Sequence, residues 1–242
     1  MKLLQGDCLK LMKDLPDGSV DLILCDLPYG ATDCSWDTVL PFDALWAEYN
    51  RLLKLDGAAV LFAAQPFTTQ LINSNPRAFR YCWYWLKNQA TGFTFARYQP
   101  MRQIEDICVF YRKHGTYNPQ GLQVVKGAKP KRRKLLPDDS VYKMDTLMQE
   151  YTPRFKNYPK NVLQFSTERG LHPTQKPVPL LEYLVRTYTN EGDTVLDNCM
   201  GSGSTGVAVK RVGGRHFVGI EQNQVYFDIA RKRIEEAQHG GI

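Results

Sequence analysis

The chain has 242 residues, 43% hydrophobic and 23% charged, with a net charge of +6. That is enough apolar surface for one large domain with at most a small insert, and it excludes a chain that needs a partner to fold. No apolar run reaches about 18 residues, and the start MKLLQGDCLKLMKDLPDG carries charge where a signal peptide needs an unbroken apolar core. The expected location is therefore cytoplasmic, with no membrane partner. Cys8, Cys25, Cys34, Cys82, Cys108 and Cys199 are scattered, without C-x-x-C or zinc-type cysteine and histidine spacing, so they read as buried thiols and no metal is expected.

Taken in order along the chain, apolar runs alternate with amphipathic segments, which predicts a mainly parallel sheet with helices on both faces. The first strand candidate is Val20 to Cys25. Phe42, Leu45, Trp46, Tyr49, Leu52 and Leu53 follow at helical spacing, and Ala58 to Ala63, Tyr81 to Leu86 and Ile107 to Tyr111 read as strands. From His114 to about Thr167 the alternation gives way to polar, proline-bearing, basic sequence, which reads as an insert. A helical stripe resumes at Pro179 to Tyr188, then come a strand at Thr194 to Asp197, a glycine turn with a helix start, a strand at His216 to Ile220 and a helix at Val225 to Ile234.

The charge excess is confined to KGAKPKRRK, residues 126 to 134. Without Lys126, Lys129, Lys131, Arg132, Arg133 and Lys134, basic and acidic residues balance at 25 each. An acid-free block broken by Pro130 reads either as an exposed loop that lies along phosphates or as a solvated loop without a partner.

In TVLDNCMGSGSTGVAV, residues 194 to 209, Gly201, Gly203 and Gly206 spell G-x-G-x-x-G. Glu221 follows at about the 20-residue spacing of the acid that holds a ribose in nicotinamide enzymes, so the glycines and Glu221 fit two readings. Asp197 separates them, because a carboxylate just before the first glycine repels a pyrophosphate. It suits a ligand with a cationic amino-acid end, such as S-adenosylmethionine. The second informative stretch is VDLILCDLPYGATDCSWD, residues 20 to 37. A buried strand ends at Asp26 and turns through Leu27, Pro28 and Tyr29 to Gly30. This sets a carboxylate, a carbonyl and an aromatic ring at the carboxyl edge of the sheet, where ligands bind. Alone, such a stretch reads rather as an Asp-Pro turn with a packing tyrosine.

It does not stand alone. DLPY closely resembles the Asp-Pro-Pro-Tyr motif of DNA methyltransferases acting on exocyclic amino groups of adenine or cytosine. GDCL (Gly6 to Leu9), the hairpin-like WLKNQATGFTFARYQPMRQIEDICVFYRK (residues 85 to 113), HPTQKP (residues 172 to 177) and DNCMGSGSTG follow in the permuted order of that family's beta class. Leu27 replaces the first proline of the motif, and Asn198 and Cys199 stand where many members have Pro-Phe. The resemblance implies a circularly permuted Rossmann-like methyltransferase fold, an α/β architecture with a mainly parallel seven-stranded sheet flanked by helices and a small target-recognition insert. Residues 1–113 would be the catalytic half, 114–167 the insert and 168–242 the cofactor half. It further implies transfer of a methyl group from S-adenosylmethionine to adenine N6 in double-stranded DNA, by base flipping and direct in-line attack, with N4 of cytosine as the alternative. A homodimer is left open. From other classes, an inactive DNA-binding relic is opposed by the intact Asp26 and Tyr29, and a nicotinamide oxidoreductase by the lack of a second substrate-binding signature.

An exocyclic amino nitrogen is a poor nucleophile because its lone pair is delocalised into the ring. Asp26 carboxylate and Leu27 carbonyl accepting its two hydrogens would let it pyramidalise and attack, with Pro28 shaping the turn and Tyr29 stacking on the flipped base. Attack at cytosine C5 needs a cysteine nucleophile, and the chain contains no Pro-Cys pair. For the cofactor, the resemblance assigns Asp7, beside Cys8, to the adenine amino group and Glu221 to the ribose hydroxyls. It assigns Asp197 to the ammonium, with Gly201 and Gly203 giving close backbone approach. Asn198, Met200, Ser202, Ser204 and Thr205 complete that loop, and Asp26 borders it. Thr174, Gln175 and Lys176 precede a helix whose free N–H groups suit the methionine carboxylate, whereas His172 ranks below them. The Lys and Arg residues of the insert would hold DNA phosphates.

Overall fold

The computed structural model describes residues 1–30, 38–132, 150–168 and 175–238. Its elements are β1 (Lys2–Gln5), α1 (Cys8–Leu11), β2 (Val20–Asp26), α2 (Phe42–Leu52), β3 (Leu53–Ala63), α3 (Phe67–Ser74), β4 (Phe79–Thr91) and β5 (Arg102–Tyr111). Four short strands follow, β6 (Gln123–Val124), β7 (Lys131–Arg132), β8 (Glu150–Tyr151) and β9 (Phe155–Lys156). The chain continues with β10 (Val162–Gln164), α4 (Val178–Tyr188), β11 (Thr194–Asp197), α5 (Ser204–Val212), β12 (His216–Glu221) and α6 (Gln224–Glu236).

It divides into two compact units, one of Met1–Asn118 with Asn161–Ile242 and one of Pro119–Lys160. The smaller unit is narrower than the expected insert, because its flanks are tied into the larger one. Asn118 N–H donates to the Thr187 carbonyl at 2.7 Å, and Tyr84 N–H donates to the Asn161 carbonyl at 2.7 Å. Within the smaller unit β6 pairs antiparallel with β9, and β7 with β8.

The larger unit is built on one sheet in the order β1-β12-β11-β2-β3-β5-β4-β10. All strands run parallel except β5, which is antiparallel to both β3 and β4. The sheet has one strand more than the seven expected, because β10 adds to the edge of β4 with Val162 opposite Tyr84. Strand side chains alternate between two apolar cores. Leu22 and Leu24 of β2, Val60 and Phe62 of β3, and Ile107 and Val109 of β5 pack with residues of α4, α5 and α6. Ile23, Cys25, Ala59 and Leu61 face the other way, against residues of α1, α2 and α3. Among the described residues no helix is long and apolar enough to cross a membrane.

Strands β11 and β2 are neighbours, with Val195 opposite Leu22 and Leu196 opposite Ile23. From β11 the chain proceeds to β12 on one side, and from β2 to β3 on the other. The carboxyl ends of β11 and β2 therefore flank the crevice where such sheets bind ligands. Strand β1 completes this half by pairing with β12, Leu4 lying opposite Ile220. Strands from the two ends of the sequence thus interleave as the permuted order requires.

Candidate functional site

At that crevice lies a cavity of about 1430 Å³, larger than one small ligand needs. Asp26, Leu27, Pro28 and Tyr29 form one wall from the end of β2. Asp197, Asn198, Met200, Gly201, Ser202, Ser204 and Thr205 line it from the turn between β11 and α5. Asp7 and Cys8 after β1, Glu221 at the end of β12, and Gln175 and Lys176 before α4 complete it. His172 and Thr174 lie outside the described residues, as do Arg133, Lys134 and Cys34. Lys126 and Lys129 are exposed in the smaller unit, and Lys131 and Arg132 form β7 there rather than continuing the expected loop.

The three glycines of the turn do different work. Gly201 lines the cavity at φ 50°, and its N–H donates to Glu221 Oε2 at 2.8 Å. Gly203 does not line it; as the left-handed cap of α5 it abuts α6, where a Cβ would lie 2.8 Å from Ala230 Cβ. At Gly206 a Cβ would run into Ile234 Cδ1 and would meet Phe217 at 2.7 Å. Those two positions serve helix packing rather than ligand approach.

Around the turn, acceptors are arrayed for a cationic, hydroxyl-bearing ligand. Asp197 is buried, and burial pushes its carboxyl up to about 7 despite hydrogen bonds from Thr205, the Cys199 N–H and Cys25. Glu221, also raised by burial, accepts from the Asn223 N–H through Oε1 at 2.7 Å, from the Gly201 N–H through Oε2 and from the Gln222 backbone. Asp7 caps α1 by accepting the Leu9 N–H at 2.9 Å through one oxygen. Gln175 Oε1 is a buried acceptor with no partner among the described residues. Other assigned side chains are committed to the fold. Asn198 accepts from Tyr49 Oη at 2.6 Å and faces Cys8 and Cys199, while Ser202 and Ser204 hydroxyls take the Arg233 guanidinium at 3.0 and 3.4 Å. Leu27 buries its side chain in the α2 and α3 core, consistent with a contribution through its backbone.

The DLPY end of the cavity holds an ion network that the sequence did not announce. Lys176 Nζ bridges Asp26 Oδ2 at 2.6 Å and Glu105 Oε1 at 2.9 Å, and Lys87 Nζ meets Glu105 Oε2 at 2.6 Å. Tyr29 Oη donates to Asp26 Oδ1 at 2.8 Å and reaches Glu105 at 3.2 Å, while its ring stacks on Phe67 at 4.9 Å. The strand period explains the convergence. Asp26 continues the Leu22, Leu24 face of β2, Glu105 the Ile107, Val109 face of β5, and Lys87 the Trp83, Trp85 face of β4. Two lysines balance two carboxylates. Burial nonetheless holds Asp26 above its usual range against the pull of Lys176, whereas in Glu105 the two lysines outweigh burial and lower it. Burial alone would lower Lys176, but Asp26 and then Glu105 raise it, so it stays charged. Its ammonium therefore belongs with these carboxylates, and only its backbone is free for the role the resemblance gave it. Glu105 was missed because an acid in RQIEDICVFY reads as an exposed strand position. The available signal was its phase, shared with the buried residues.

Comparisons with known proteins agree with this fold. The DNA adenine methyltransferase YhdJ of Escherichia coli (strain K12) is 32% identical over 260 residues, covering 98% of this chain and 83% of that protein. The structure of the M1.HpyAVI–SAM complex superposes with a TM-score of 0.64 at 26% identity, covering 96% of this chain and 98% of the other. The cytosine-N4-specific PvuII DNA methyltransferase shares the fold, with a TM-score of 0.69 at 17% identity over 96% of this chain and 85% of its own. The open question of a homodimer gains no support from them. The cofactor is S-adenosylmethionine, whose cationic amino-acid end and ribose match the acceptors of Asp197, Gln175 and Glu221. A family model for DNA methylases of the N6/N4 class matches residues 20–232, and the chain belongs to that family.

Proposed function

We propose that the chain methylates N6 of adenine in double-stranded DNA, with the target base flipped out of the duplex. The observation that carries this reading is the meeting of Asp26, Leu27, Pro28 and Tyr29 with the glycine turn and Glu221 around one cavity. The adenine activity named for the Escherichia coli relative supports the choice of base. So does the resemblance of the hairpin at residues 85–113 to that of adenine enzymes.

S-adenosylmethionine supplies the electrophilic methyl group. Asp26 draws one amino hydrogen and the Leu27 carbonyl the other, localising the nitrogen lone pair. Each Asp26 oxygen already accepts one hydrogen bond, from Tyr29 and from Lys176, and each retains a second lone pair for the amino group. Lys176 and Tyr29 hold the carboxylate in place, so little reorganisation accompanies the reaction. Glu221 takes the ribose hydroxyls, Asp7 the adenine amino group, and Asp197 with Gln175 the ammonium. Lys126, Lys129, Lys131, Arg132, Arg133 and Lys134 hold phosphates.

Expression in cells free of DNA methylation, followed by sequencing of modified bases, tests the reading. N6-methyladenine at a defined site supports it, N4-methylcytosine moves the substrate to the other base, and unmodified DNA overturns it.

Cofactor affinity should also depend on pH through Asp197. Its carboxyl is raised from 3.8 to about 7, so in the free protein it favours folding at low pH and loses that contribution as pH rises between those values. A bound ammonium favours the ionised form. Affinity for S-adenosylmethionine should therefore increase from pH 5 to pH 7, by up to about tenfold per unit, with release of a proton. Calorimetry in buffers of different ionisation enthalpy measures both, and Asp197→Asn should flatten the dependence.

A further inference from the structure

Strands β4 and β5 end at the pair Thr91 and Arg102, and residues 92–101 form the tip between them. Gly92, at φ 90°, opens it. Phe95 N–H then donates to the Gly92 carbonyl, Ala96 N–H to Phe93 and Tyr98 N–H to Phe95, at 3.0, 3.0 and 2.9 Å. The tip is thus given a definite shape by its backbone while its side chains stay out in solvent. Phe93 is 81% exposed, Tyr98 86% and Phe95 57%, with Met101 and Ile104 also exposed. From Gly92 to Ile104 there is no acid, and Arg97 and Arg102 are both exposed.

An apolar patch of this kind marks an interaction surface. Arginines without acids select a polyanion, and aromatic rings interleaved with arginine suit the faces of unstacked bases. The tip also rises from the wall of the site, since Thr91, Arg102 and Ile104 line the cavity that holds Asp26. We propose that it is a wedge that enters the duplex where the target base leaves, Phe93 and Tyr98 covering the exposed neighbouring bases while Arg97 and Arg102 hold the adjoining phosphates. Side chains inserted between base steps stabilise such openings elsewhere in DNA recognition. The inference rests on the base-flipping reading above.

The test uses Phe93→Ser/Tyr98→Ser in the full chain, radiolabelled S-adenosylmethionine, and duplexes carrying the site found by modified-base sequencing. On a fully paired duplex, kcat/KM should fall roughly tenfold or more, the scale of losing base–aromatic stacking. On the same duplex with an abasic position opposite the target, where pairing no longer resists flipping, the variant should come within about twofold of wild type. Cofactor affinity and melting temperature should be unchanged, which shows that the variant folds. Equal loss on both duplexes, or no loss on the paired one, overturns the wedge. So does a shift from dimer to monomer in sedimentation with methylation intact, which would make the tip an interface between copies. A wild-type chain that modifies no DNA overturns the base-flipping reading and the wedge with it.

Discussion

Asp26→Asn should lower methyl transfer by at least ~10²- to 10³-fold while leaving S-adenosylmethionine affinity within a few fold, the range found when a preorganised electrostatic group is removed. The substitution keeps the shape of the side chain but removes its charge and puts a donor where the amino group needs an acceptor. It also deprives Lys176 and Tyr29 of the group they orient, at 2.6 and 2.8 Å. Asp26→Ala should fall at least as far. Tyr29→Ala should act on the DNA term instead, raising the apparent KM for duplex. Single-turnover transfer with saturating cofactor and duplex separates the two. Near-normal transfer by either Asp26 variant removes the carboxylate from the mechanism and directs the search to Asp7 or Asp197.

Lys176→Met should destabilise the protein by about 3 kcal/mol or more, because it leaves buried carboxylates short of a countercharge. Glu105 keeps Lys87 at 2.6 Å, so the burden falls on Asp26. Asp26 is already raised by burial, and without the lysine it rises further. A carboxylate raised in the folded state favours folding at low pH and loses that contribution as pH rises through its pKa. The deficit of Lys176→Met should accordingly be small in acid and grow toward neutrality, with the neutral-pH melting temperature lowered by roughly 6 °C or more. Turnover should be poor at neutral pH and partly restored in alkali, where Asp26 ionises again. Adding Asp26→Asn should recover much of the stability but none of the turnover, which distinguishes a charge partner from a residue needed only for packing. Equal melting of wild type and Lys176→Met across pH would show that the ion network contributes nothing.

What the sequence made legible was whatever had a strong period. Six strands appeared as apolar runs, β2, β3, β11 and β12 because parallel strands in the middle of the sheet are covered on both faces and β4 and β5 through their buried alternate residues, and α2, α4 and α6 appeared because each shows one face to the sheet. Strands β1 and β10 escaped because edge strands of four and three residues carry too little pattern. The site divided in the same way. Asp26 and Glu221 were visible at the ends of apolar strands, where a carboxylate has no packing purpose. Glu105 and Lys87 were not, and Lys176 was visible only for its backbone, because the pairing of these side chains depends on distant segments that only the sheet order brings together. The glycines misled in part: Gly203 and Gly206 fit a ligand-binding pattern, yet α6 and Phe217 leave no space there for a side chain. Asn198 and Cys199, departures from the common motif, turn inward to Tyr49 and Cys8 instead.

The pairing of β1 with β12 sets Lys2 opposite Val218 and Gln5 opposite Glu221. Partners so far apart in sequence close a large loop, and the entropy of that closure is offset only when the strands between them are already ordered. The acceptors at Asp7 and Glu221 are therefore set by long-range pairing, so a substitution that frays β1 from β12 should loosen the cofactor end of the cavity while the DLPY wall, held by β2 and β3, keeps its shape.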